Sequence, residues 1–127
     1  MTEPRRVLIT GSQTWPDEAE VKRVLDEAWA FTGPFVLVHG AARGVDQMAE
    51  IHQAARFRPT EAHPAEWDRY GKRAGYVRNA KMVALGADIC LAFIHNESRG
   101  ATMCANLAEE AGIPARRYVL TTNGDPR

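Results

Sequence analysis

The 127-residue sequence predicts an α/β fold, a Rossmann-like three-layer sandwich. Its sheet is expected to be mainly parallel, with about five strands. Two observations carry this expectation. Short apolar, β-branched runs alternate with longer segments whose apolar residues recur at helical spacing. Glycine or proline stands at most of the changeovers, where the backbone must turn. Parallel neighbours need crossover helices, so this rhythm places helices on both faces of the sheet.

The first run, Arg5–Thr10 (RRVLIT), reads as a buried strand that stops at Gly11. A helix follows. Pro16 suits its first position, Asp17 and Glu18 suit the positive end of its dipole, and Val21, Val24, Leu25 and Ala28 share one face. Gly33-Pro34 ends it. Phe35–His39 (FVLVH) is the second strand, and 44–57 the second helix, with Val45, Met48, Ala49, His52 and Ala55 on one face. A weaker strand lies near Pro59–His63. Residues 67–86 read mostly as helix despite Gly71 and Gly75, with Val77, Met82 and Leu85 as core contacts. Ala87–Ile94 (ADICLAFI) is the most apolar run and the predicted central strand. Residues 101–114 give the last helix, closed by Gly112 in a left-handed cap with Pro114 beyond it. Arg117–Thr121 is the last strand. The chain therefore reads as one domain over 1–121 with a flexible tail over 122–127.

Composition narrows the function classes. Hydrophobic residues make up 45% and charged residues 25%, enough for a real core in a single domain. Sixteen basic residues balance sixteen acidic ones, so no overall field draws the chain to nucleic acid or anionic lipid. Cys90 and Cys104 form neither a disulfide framework nor a metal-type spacing and fall in core segments. The apolar run after Arg5 and Arg6 is too short for a signal peptide or membrane span. A cytoplasmic protein with no membrane contact is expected.

In a parallel sheet the C-terminal strand ends share one edge, and ligands bind there where strand order reverses. Three polar corners with glycine meet at that edge: Thr10–Trp15 (TGSQTW), His39–Asp46 (HGAARGVD) and His95–Thr102 (HNESRGAT). Glycine admits close backbone approach, and a helix starting there points free N–H groups at a guest, preferably an anion such as phosphate. Neither a dinucleotide G-x-G-x-x-G fingerprint nor a Walker A loop is present, so kinase and ATPase readings drop out.

Gly40, Ala41, Ala42 and Gly44 form the expected backbone cradle, with Arg43 either reaching a phosphate or standing exposed at a helix start. Gly11 and Ser12 form the adjacent wall, Ser12 either donating to the phosphate or capping a turn. Asp46 either binds a ribose hydroxyl or serves its helix's first turn. Ser98, Gly100 and Thr102 close the site from the far side. His39, His63 and His95 lie near strand ends without a carboxylate at ligand spacing, so turn hydrogen bonding is expected of them and no metal or cofactor is implied.

Four stretches, 36–49 (VLVHGAARGVDQMA), 64–83 (PAEWDRYGKRAGYVRNAKMV), 87–93 (ADICLAF) and 98–114 (SRGATMCANLAEEAGIP), resemble the YspA-type branch of the SLOG superfamily. That superfamily also holds the DNA-processing protein DprA/Smf and the Lonely-Guy phosphoribohydrolases. The resemblance implies a Rossmann-like domain binding a nucleotide or nucleotide-derived, ADP-ribose-like molecule, as a sensor or sequestering module. It also implies that Arg78, common to this branch and the enzyme branch, and its neighbour Asn79 face the ligand, and that Trp67 and Tyr70 stack on it while nearby cations hold phosphate. Aromatic anchoring of a solvated helix face is the competing role for those two. One alternative is phosphoribohydrolase activity; Cys104 falls where that branch carries its glutamate, and a thiol is a poor replacement for a carboxylate beside an oxocarbenium-like state. The other is DprA-like binding of single-stranded DNA. Homo-oligomerisation is plausible by the same resemblance, with residues 19–31 around Trp29 and Phe31 as the contact surface.

Overall fold

The computed structural model describes residues 5–122. The tail expected over 122–127 lies outside the described residues, Thr122 excepted. Five parallel strands form one sheet: β1 (Arg5–Gly11), β2 (Phe35–His39), β3 (Thr60–Ala62), β4 (Ile89–His95) and β5 (Ala115–Leu120), in the order β3-β2-β1-β4-β5. The order reverses between β1 and β4, which puts a switch point at the C-terminal ends of those two strands. The central position belongs to β1, with β4 beside it.

Alternate residues of β1 serve two cores, as the pleat requires. Val7 and Ile9 pack with Val21, Val24 and Leu25 of α1 (Glu18–Thr32) and with Val45 and Ala49 of α2 (Val45–Ala55). Leu8, on the other face, packs with Met82 and Val83 of α4 (Ala74–Leu85) and Cys104 and Ala108 of α5 (Arg99–Glu110). Each fully buried leucine or isoleucine in these layers contributes about 1.5–3 kcal/mol relative to exposure. No helix of the described residues is long and apolar enough to cross a membrane.

Several local expectations shift. Asp17 is the N-cap of α1, its side chain accepting from the Glu20 N–H, so Pro16 precedes the helix rather than opening it. Residues 67–86 are not one helix: α3 (Trp67–Tyr70) ends at Gly71, whose φ of 58° lies in the left-handed region, and a 3-10 turn (Gly71–Arg73) leads into α4. The inward face of α4 is set by Ala74, Asn79, Met82 and Val83, leaving Leu85 exposed; Ala55 at the end of α2 is exposed too. Gly112 (φ 84°) does close α5: its N–H reaches Glu109 O and the Ile113 N–H reaches Ala108 O at 2.8 Å, the paired bonds of a Schellman cap. Trp29 packs inward on Phe35, ring centroids 5.1 Å apart, while Phe31 stays exposed.

Candidate functional site

The switch point holds a cavity of about 430 Å3. Its walls come from the three expected corners and from α4: Gly11 and Ser12 from the first, Ala42 and Asp46 from the second, Ser98 and Gly100 from the third, and Arg78 and Asn79 from the helix. That volume is within the range of small-molecule sites.

The first corner is tied to the fourth strand. Ser12 is buried; its N–H donates to Phe93 O at 2.9 Å, and its hydroxyl accepts from the His95 N–H at 2.8 Å. The Ser12 hydroxyl therefore extends the β1–β4 ladder past the strand end. A Cβ on Gly11 would collide with the Val45 side chain, so this glycine lets α2 start against β1.

The second corner folds around Asp46. Its Oδ2 accepts from the N–H groups of Gly40 (3.0 Å) and Ala42 (3.3 Å), which is why Gly40–Gly44 curls back onto its own helix start. The other oxygen, Oδ1, is buried with no hydrogen-bond partner among the described residues. Burial holds the Asp46 carboxyl above its ordinary value, opposed by the two backbone N–H groups and by the nearby His39 and Arg78. Ala41 has a φ of 55°, and its N–H donates to His39 Nδ1 at 3.0 Å.

The third corner opens α5. Ser98 is the N-cap, yet its side chain makes no capping bond, and the first intrahelical bond runs from the Thr102 N–H to Ser98 O. The N–H groups of Arg99, Gly100 and Ala101 thus lack partners within the helix. Apart from its chain neighbours and its own helix backbone, nothing lies within 4 Å of a Cβ built on Gly100, so the space beside this helix start is open. Asn96 (φ 51°) and Glu97 (φ 57°) are consecutive left-handed residues, a strained arrangement of the kind found at ligand clamps. It is held by Thr122, whose N–H donates to Asn96 Oδ1 at 2.9 Å.

Arg78 joins the second corner to the loop after β3. Its Nη1 donates to Gly40 O and reaches His63 O at 3.5 Å, and its Nε donates to Asn79 Oδ1 at 2.7 Å. The guanidinium lies where a Gly40 Cβ would stand.

Other expected residues fall outside this cavity. Ala41 and Arg43 line a shallower groove with His39, Gln47 and Glu50. Gly44 is a packing residue beneath the first corner. Thr102 faces a groove between α5 and β5, Tyr70 a compartment under α4, and Trp67 is exposed beside Gly75. The histidines have separate partners: His39 Nε2 with Glu50 at 2.7 Å, His63 Nε2 with Glu61 at 2.7 Å, and His95 with Thr14 at 2.7 Å and Thr122 at 2.8 Å. Glu61, pinned by Arg6 and then His63, is held at about 2. Among the described residues no group of three or more His, Cys, Asp or Glu is placed to hold a metal ion.

Thr10, Gln13, Thr14, Met82, His95, Asn96 and Ala101 also line the cavity, although their residue types alone do not mark them as ligand contacts. Adjacency is the signal that could have found them: most flank the glycines of the first and third corners, and Met82 stands one helical turn from Arg78.

A five-stranded parallel α/β domain with a polar cavity at its switch point belongs to the Rossmann-like class. Residues 5–70 match the model of the YspA, cpYpsA-related SLOG family. The chain is also similar to the Gene 61 protein of Mycobacterium phage D29, 44% identical over 120 residues, an alignment covering 90% of this chain and 96% of that protein. The chain belongs to the YspA, cpYpsA-related SLOG family. No solved structure matches it.

Proposed function

We propose that this domain binds a nucleotide or nucleotide-derived, ADP-ribose-like small molecule in the switch-point cavity and acts in the cytoplasm as a sensor or sequestering module. One observation carries the reading: a single cavity is lined both by an uncapped helix start and by a buried carboxylate with a partnerless oxygen. The first suits a phosphate, through the N–H groups of residues 99–101 and the dipole behind them. The second belongs to a residue that lines the cavity, where a carboxyl group suits a sugar hydroxyl. Arg78 supplies a fixed cation on a third side.

Binding is favoured over glycosidic cleavage because Cys104 is fully buried, Glu97 lines a different groove and Glu109 pairs with Arg117. The balanced net charge favours a small ligand over nucleic acid. A thermal-shift titration against AMP, NAD, ADP-ribose and a short single-stranded oligonucleotide tests the reading. A ligand at a hundred times its Kd adds about 2.7 kcal/mol of stability. The expected result is a shift with an adenine nucleotide, diminished in Arg78→Ala by about 1.5–3 kcal/mol of binding. A shift with the oligonucleotide alone would overturn it.

A further inference from the structure

The sheet face that carries α1 and α2 is not covered evenly. Register puts Val7 and Ile9 of β1, Ile89, Leu91 and Phe93 of β4, and Arg116 and Tyr118 of β5 on that face. Helices α1 and α2 pack over its β1 and β2 part. Beside α1, over β4 and β5, a groove of about 590 Å3 remains, a volume within the range of small-molecule sites. It shares no lining residue with the switch-point cavity and lies toward the opposite ends of the strands.

The groove is apolar inside and charged at its mouth. Buried Val7, Val24 and Leu91 form the floor, with half-buried Ala28, Ile89 and Tyr118 as walls. The Tyr118 ring is stacked on Phe93, centroids 4.7 Å apart, and Phe31 stands at the rim, 91% exposed. The charged lining residues are Arg5, Arg23, Glu27, Asp88 and Arg116. Glu27 is paired with Arg23, and Asp88 Oδ2 accepts from the Arg6 N–H at 2.7 Å. Arg5 and Arg116 are exposed, and neither guanidinium has a hydrogen bond or ion pair among the described residues. Three arginines against two carboxylates leave the mouth with a positive surplus. A second copy docked face to face would bring the same surplus to both sides. An apolar ring with one acid group instead fills the floor and meets the unpaired guanidiniums.

We propose that this groove is a second ligand site, which takes a small aromatic carboxylate or sulfonate. The ring lies against Tyr118 and beneath Phe31, and the acid group faces Arg5 and Arg116. The site is separate from the nucleotide reading above and stands or falls without it.

Fluorescence titration of the full chain with two dyes tests this: anilinonaphthalene sulfonate, and phenylnaphthylamine, the same ring system without the acid. The sulfonate is expected to bind the folded chain at least about threefold more tightly than the uncharged dye, an advantage lost in the double variant Arg5→Ala/Arg116→Ala. Both arginines are exposed, so that variant keeps its fold. Ala28→Trp, which fills the groove, should abolish both signals, and Arg78→Ala should change neither. No dye uptake, equal affinity for the two dyes, or a sulfonate advantage that survives loss of both arginines would overturn the site. Dye binding that Arg78→Ala removes would place the dye in the switch-point cavity and overturn it as well. A chain that sediments as a dimer and takes up dye only on dissociation would assign the groove to a second copy, with the same consequence.

Discussion

Alanine at position 44 and alanine at position 100 should have opposite effects, though both replace a glycine at a helix start on the ligand edge of the sheet. Gly44 has φ 78° and ψ −124°, a region L residues rarely enter at a cost of about 1–3 kcal/mol. A Cβ there would stand 2.5 Å from Ser12 O and 2.6 Å from Gln13 Cα. Both neighbours are backbone, so relief requires moving the β1–α1 corner, and overpacking of this kind adds about 1–3 kcal/mol. The total of about 2–6 kcal/mol is a large part of a typical 5–15 kcal/mol stability. Gly100 is different: it has no positive φ and nothing within 4 Å of the position a methyl would take, so Gly100→Ala should be neutral or stabilising by up to about 1 kcal/mol. The added methyl stands beside the α5 N–H groups and should still weaken nucleotide binding. Urea unfolding followed by circular dichroism, with calorimetric titration of ADP-ribose on the folded variants, measures both effects. An unchanged midpoint in Gly44→Ala would refute the packing of the second corner on the first. Full affinity in Gly100→Ala would refute ligand approach at the α5 start.

Gly40→Val should stay folded and lose ligand affinity through Arg78, because the new side chain meets the far end of the Arg78 side chain, which it can displace, rather than backbone. Its effect on the Kd should therefore not add to that of Arg78→Ala in a double-mutant cycle; full additivity would separate the two residues. Burial raises the Asp46 carboxyl, so the folded state keeps its proton where the unfolded chain has lost it, and stability should fall as pH rises above the ordinary carboxylate range. Asp46→Asn should remove that slope in urea titrations run across pH, and an equal slope in both proteins would show that Asp46 is not its source. Glu61 has the reverse sign: held at about 2 by Arg6 and His63, its contribution is full above the ordinary glutamate range and is lost as pH falls through about 2. Glu61→Gln should flatten acid unfolding over that window, and an unaltered acid limb would contradict the assignment.

What the sequence disclosed, and what it withheld, follows the range of the forces involved. β1, β2 and β4 were legible because a strand covered on both faces must be apolar almost throughout, and few other elements of five to seven residues have that property. The break at Gly71 was hidden: a glycine inside a helical pattern takes helical or left-handed φ according to its surroundings, and here the left-handed value turns α3 away from α4. Leu85 misled for a related reason, since periodicity names a stripe but not where the stripe stops meeting the sheet. The ligand edge shows the same limit more sharply. Four glycines marked its corners, and all four line it or pack beneath it, yet their jobs differ: Gly11 makes room for Val45, Gly40 for the Arg78 guanidinium, Gly44 for the Ser12–Gln13 backbone, and only Gly100 leaves space unfilled by protein. The first three answer to contacts between residues 34 or more positions apart or to another corner's backbone, which no local pattern encodes. Of these four positions, therefore, only the one at the α5 start is left open for a guest beside Asp46 in the same cavity, and its glycine was no more conspicuous in the sequence than the three that serve packing.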